Sequence, residues 1–172
     1  MKSAKLGCVL VALCTAAGGH AQDIGAEPTT GAIVLEAGFP TDPTTATVFS
    51  GGDIDASATI EGCSGYISER PDLRLTFTAD PTPSAMPLFI HALSDGDTTL
   101  LIHAPDGNWY CNDDGANGIN PMLVFGPAMS GYYQIWLGSY EVDQNHEALV
   151  AFSELGADLG TLQTPVNESP GR

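Results

Sequence analysis

The sequence predicts an all-β fold, a jelly-roll-like β-sandwich of short antiparallel strands, on three observations. Between residues 32 and 155 the chain reads as short β-branched or aromatic runs, each closed by Gly, Pro, Asp or Asn. No segment shows a 3.6-residue apolar period over about 11 residues or more, so no amphipathic helix competes. Several runs alternate apolar and polar residues, the pattern of strands with one face on a core.

The elements follow in chain order. Lys2 and Lys5 precede an apolar stretch from Leu6 to Ala17, and Gly19-His20-Ala21 offers small residues at the −3 and −1 positions of a signal-peptidase site. Residues 1–21 therefore read as a secretion signal cleaved after Ala21, which places the protein in the periplasm or outside the cell. That stretch is too short to span a bilayer, and no later one reaches about 18 apolar residues, so no membrane span is expected. Residues 22–31, polar with Thr, Gly and Pro, read as a loose leader, and residues 32–155 as a single sandwich domain. Residues 156–172, polar with Pro165 and Pro170, read as a disordered tail.

The expected strands fall at 32–36, 45–50, 56–60, 72–78, 87–93, 98–104, 107–112, 121–125, 131–138 and 147–153. In the run from Asp72 to Thr78, Leu73, Leu75 and Phe77 share one face. Between Gly131 and Gly138, Tyr133, Ile135 and Leu137 alternate with Tyr132, Gln134 and Trp136. Ala104-Pro105-Asp106-Gly107 has the composition of a type I turn. Closing a hairpin there pairs Leu100 with Cys111 and Ile102 with Trp109, which turns Cys111 into the core. The same register sets Asp97 opposite Asp114, with Asp95 and Asp113 beside them. Like charges facing across strands destabilise a sheet, so splaying, raised pKa values or a cation should relieve them. A one-residue slip would invert the faces.

Charge and cysteines bound the function. The whole chain has a formal net charge of −16, and beyond residue 21 only Arg70, Arg74 and Arg172 stand against 21 acidic residues. Such a chain repels nucleic acid and anionic membrane surfaces. Most of this acidity reads as solubility in a salty medium. Cys8 and Cys14 lie in the signal, leaving Cys63 and Cys111, which in an exported protein read as one disulfide.

Three ordered segments resemble a known family. Asp97-Thr-Thr-Leu-Leu-Ile-His-Ala-Pro-Asp-Gly107, then Asn112-Asp-Asp-Gly115, then Ser130-Gly-Tyr-Tyr-Gln-Ile-Trp-Leu137 resemble the bacterial pre-peptidase C-terminal domain. That family shows an Asp before a strand, a Pro-Asp-Gly turn, an acidic pair and a closing Gly-x-Tyr strand. The resemblance implies a small jelly-roll-like sandwich accessory to a secreted enzyme, aiding secretion, stability or substrate contact, with calcium bound in some members. No peptidase domain precedes it in this sequence.

Catalytic motifs are near misses. Gly62-Cys-Ser64-Gly-Tyr66 and Ala128-Met-Ser130-Gly-Tyr132 both fail the G-x-S-x-G pattern, and His146-Glu147-Ala-Leu-Val150 lacks the second histidine of H-E-x-x-H. The expectation is a non-catalytic exported structural or interaction module whose partner is an exported protein or a glycan. Calcium is the sharper alternative. Asp95, Asp97, Asn112, Asp113 and Asp114, joined by Asn117 and Asn120, supply hard oxygen donors, of which calcium takes about six to eight. The bland reading is a solvated acidic loop, since Asp and Asn also favour turns. Tyr132 and Trp136 form a candidate aromatic binding face if their neighbours point inward, with cover by another segment as the plainer alternative.

Overall fold

Alternating runs require a partner layer, and here two sheets supply it to each other. The computed structural model describes residues 22–82, 84–115 and 118–156. Eleven strands are assigned there: β1 (Gly31–Glu36), β2 (Thr44–Phe49), β3 (Ile54–Asp55), β4 (Tyr66–Ile67), β5 (Leu73–Thr78), β6 (Leu88–Ser94), β7 (Thr98–His103), β8 (Trp109–Asn112), β9 (Met122–Phe125), β10 (Gly131–Ser139) and β11 (Glu147–Ser153). The all-β sandwich expected from the sequence is the fold observed.

The first sheet is organised around β10. Its first half pairs with β5, which pairs in parallel with β1. Its second half pairs with β7, and β7 with β8. Ser139 at its end meets Tyr66 of β4, which carries β3. The second sheet runs β2–β11–β6–β9, antiparallel throughout. The parallel β1–β5 pair is the one departure from the antiparallel arrangement expected.

The main core lies between the sheets. Leu73, Leu75, Phe77, Leu100, Ile102, Tyr133, Ile135 and Leu137 meet Leu88, Ile90, Val48, Val150 and Phe152. Each such side chain taken out of water contributes about 1.5–3 kcal/mol. A second, smaller core lies on the outer side of the first sheet, where Trp136, Leu101, Ile67, Ile60, Ala56 and Cys63 pack together.

Three expectations about local structure are corrected. Residues 56–60 are not a strand. The Asp55 carboxylate accepts from the Ser57 N–H at 2.9 Å and the Ser57 hydroxyl at 2.6 Å, capping a 3-10 turn over Ala56–Ala58. The leader is not loose. Asp23 donates its N–H to the Glu69 carbonyl, and Thr29 and Thr30 donate theirs to Pro71 and Asp72.

The third correction is the hairpin register. The structure pairs Leu101 with Cys111, Ile102 with Tyr110 and His103 with Trp109, one residue away from the expected register. The turn explains the slip. Gly107 donates to the Ala104 carbonyl, as a type I turn demands, but Ala104 donates to Asn108 and not to Gly107. Gly107, at φ 81°, is the extra left-handed residue of a bulge that follows such turns. Every side chain of β8 therefore changes face. Tyr110 joins the main core, while Trp109 and Cys111 turn to the outer side. Residues 1–21, expected as the signal, and 157–172, most of the expected tail, lie outside the described residues.

Candidate functional site

The disulfide joins Cys63 to Cys111 with Cα atoms 5.6 Å apart, as the cysteine count predicts. Its place differs from the expectation. It ties the segment carrying β3, the 3-10 turn and β4 onto the outer side of β7, β8 and β10, instead of entering the main core. Beneath that cover Trp136 is fully buried, with its ring 5.0 Å from Trp109, which in turn meets His103 edge-on at 5.2 Å. Gly138 lets the cover approach, since a Cβ there would fall inside contact distance of Thr99 and Ile67.

The proposed aromatic face is therefore broken up. Trp136 is inaccessible, and the covering segment is the reason. Tyr132 alone remains exposed, with the Arg74 guanidinium 6.0 Å from its ring centre. Between them Gln134 is held by the leader, its amide donating to the Ile24 carbonyl at 2.9 Å. Tyr132 forms one wall of a shallow groove of about 360 Å³ with His103, Pro105, Gly131 and Gln134.

The acidic residues separate in the same way. The β7–β8 ladder stops at Leu100 and Asn112, so Asp97 and Asp114 do not face one another as paired residues. They remain close enough to interact: partial burial, then the charges of Asp114, Asp113 and Glu141, hold the Asp97 carboxyl above its usual range, with His146 opposing. Its Oδ1 is buried without a hydrogen-bond partner. Asn112 accepts the Met122 N–H at 2.9 Å, and Asp113 accepts the Ser64 hydroxyl at 3.1 Å. Asn120 accepts the Ser94 N–H at 2.7 Å, and Asn117 lies outside the described residues. Asp95 also makes an interaction of its own. Among the described residues no three His, Cys, Asp or Glu side chains converge as a metal cage. Of the five candidate ligands, Asn112 and Asp113 act as acceptors within the loop, and Asp97 keeps one unsatisfied carboxylate oxygen beside them.

The near-miss serines are likewise engaged. Ser64 donates to Asp113, and the Ser130 hydroxyl accepts the Ala79 N–H at 2.9 Å.

Two features escaped the sequence. Asp72 is buried where the leader meets β5 and β10. Its Oδ2 accepts the Leu137 N–H at 2.8 Å and its Oδ1 the Thr29 hydroxyl at 3.1 Å. Burial outweighs these bonds and pushes its pKa up to about 6. The second is the outer face of the second sheet. Phe89, His91 and Leu93 of β6 lie there beside Leu149 and Ala151 of β11, Met122 and Val124 of β9, and Thr45 and Thr47 of β2. Among the described residues, the small apolar cluster on this face comprises Leu93 and Ala151 with Phe89 and Met122. Phe49 and Val124 are 65% and 49% exposed. His91 is buried among these side chains, both ring nitrogens lack a partner, and burial pushes its pKa below the usual imidazole value.

The sequence matches no protein-family model and no curated protein. Fold and site together define the chain as an all-β sandwich with a Cys63–Cys111 disulfide, and among the described residues no helix is long and apolar enough to cross a membrane.

Proposed function

We propose that the protein is a non-catalytic exported interaction module, similar in role to the pre-peptidase C-terminal domains it resembles. The observation that carries this reading is the outer face of the second sheet, which exposes Phe49 and Val124 on its two edge strands in a chain of net charge −16. Exposed apolar surface on a small domain marks a contact site more often than a reaction centre. The disulfide supports an oxidising, exported setting after removal of residues 1–21. The serines of both near-miss motifs serve structural hydrogen bonds, which supports the absence of hydrolytic work. A screen with peptide, ester and glycoside substrates should give no turnover. Turnover abolished by Asp97→Asn or His146→Gln would overturn the reading.

A second reading, a calcium-dependent binding module for a glycan or a cell-surface partner, is favoured by one observation. Asp97 presents a buried, unpartnered oxygen beside Asp113 and Asp114. The arrangement is not a formed cage, so the ion would have to recruit backbone carbonyls and draw the carboxylates inward. Millimolar calcium should then raise the melting temperature far more than magnesium, and Asp97→Asn should remove the difference. Equal shifts with both ions, unchanged in the variant, would reduce the effect to screening of an acidic surface.

A further inference from the structure

We propose that the free edge of β1 accepts an extended segment of another exported protein, paired antiparallel and carrying lysine or arginine at its N-terminal end. This goes beyond the interaction-module reading, which stands on a different surface, and names a site and the chemistry of its partner.

An unpaired strand edge is a template for another strand, and proteins blunt it with short strands, bulges, prolines or charges. Three edges of this sandwich are blunted in that way. β3 has two residues, and β8 and β9 have four each. β8 follows the bulged Gly107, and β9 lies between Pro121 and Pro127. β1 is different: it has six residues, Gly31-Ala-Ile-Val-Leu-Glu36, with no proline and no charge before the last. Among the described residues it pairs with β5 alone. Ala37 donates its N–H to Thr78 of β5, and in a parallel ladder alternate residues face the same neighbour. Ile33 and Leu35 therefore also bond toward β5, and Val34, 76% exposed, turns its N–H and carbonyl to the open edge.

The core under this edge is unfinished. Leu73, Leu75 and Phe77 of β5 are buried, whereas Ile33 and Leu35 beside them are only half-buried. β2, the other six-residue edge, already buries its inward Val48. A strand laid along β1 would set alternate side chains beside Ile33 and Leu35 and take more of their surface out of water.

Charge selects the occupant. Where β1 ends, a cleft of about 400 Å³ gathers the carboxylates of Glu36, Asp80 and Glu154, and no basic side chain lines it. A strand running past Glu36 brings its end to that cleft. Antiparallel pairing is the more stable per residue, so this end is the partner's N-terminal one, and a cation there meets opposite charge. A second copy of the chain lacks that cation. The one lysine or arginine in its described strands is Arg74, which is held by Ala26 and Gln134.

The test is the fluorescence anisotropy of a labelled peptide, a lysine pair followed by alternating threonine and valine, titrated with the full exported chain. Saturable binding is expected. It should weaken about tenfold or more in Val34→Pro, which removes an edge N–H that β5 does not use. A peptide with proline in place of its central valine should lose as much against the unaltered protein, so the result does not hang on the variant's folding. Replacing the lysine pair with glutamates, or combining Glu36→Gln with Asp80→Asn, should each weaken binding by about tenfold. Val124→Glu, on β9, should leave it unchanged. Absence of binding overturns the proposal. Binding indifferent to both prolines overturns it as well, since that would be attraction of lysines to an acidic surface. A dimer of the protein alone that Val34→Pro dissociates would give the edge to a second copy instead. None of these outcomes bears on turnover, which the substrate screen decides separately.

Discussion

The two outer faces of the sandwich are built from similar strands and end differently. On the first sheet, the leader covers Arg74 and Gln134, and the segment from Ile54 to Ile67 covers Leu101, Trp109 and Trp136. On the second, Thr45, Thr47, Phe49 and Val124 remain exposed. The difference lies in what fastens a cover. A short segment with two-residue strands loses conformational entropy when it docks, and a few apolar contacts barely offset that loss. The first sheet solves this with a covalent tie from Cys63 to Cys111 and with side chains that grip backbone carbonyls. No described segment is tied to the second sheet in that way.

Breaking the tie is the sharpest challenge to this comparison. Cys63→Ser with Cys111→Ser should destabilise the fold by about 4 kcal/mol, the chain-entropy value for a loop of this size. The loss should be local as well as global. Trp136 and Trp109 should become open to acrylamide quenching under native conditions, while the main core keeps its sheet signature by circular dichroism. Unchanged quenching together with an unchanged melt would mean that the cover holds by packing alone, and the contrast between the faces would need another cause.

What the sequence disclosed follows the same division between local and distant causes. Alternation in β5 and β10 placed Leu73, Leu75, Phe77, Tyr133, Ile135 and Leu137 correctly, because strand periodicity is local. The cysteine pair needed only counting. The face of Cys111 did not follow, because one bulged glycine at 107 reverses all of β8 and the turn composition fits either register. The leader looked loose because its own residues are polar. Its anchors are Arg74, which donates to the Ala26 carbonyl, and Gln134, which donates to that of Ile24, and neither is near in sequence. The acidic cluster was legible as a group of residues. It was not legible as a site, since Asn112 and Asp113 turn toward Met122 and Ser64 and leave Asp97 unsatisfied.

Asp72 gives the smaller effect, and it tests the other fastening. Its backbone joins both partners: its N–H donates to the Ile135 carbonyl, and its own carbonyl accepts from Thr30 of the leader. Its carboxyl reaches Leu137 and Thr29, so one residue ties the cover to the central strand. With a folded pKa of about 6 against 3.8 for the free group, the native state retains a proton that the unfolded chain releases. Stability from this group is therefore fully present below about pH 4 and is lost as pH rises through 6, by roughly 3 kcal/mol in all. Asp72→Asn keeps an oxygen for the Leu137 N–H and points an amide at the Thr29 hydroxyl without a charge to desolvate. The variant and the parent should unfold at similar denaturant concentrations near pH 4, and by pH 7 the variant should be the more stable. The other carboxylates titrate in both proteins, so the difference between the two curves isolates this one. Parallel curves from pH 4 to 7 would show that the Asp72 carboxylate reaches enough water to ionise freely, and that the leader does not seal this edge of the first sheet. A difference that grows with pH would mark it as sealed, in contrast with the exposed rim of the second.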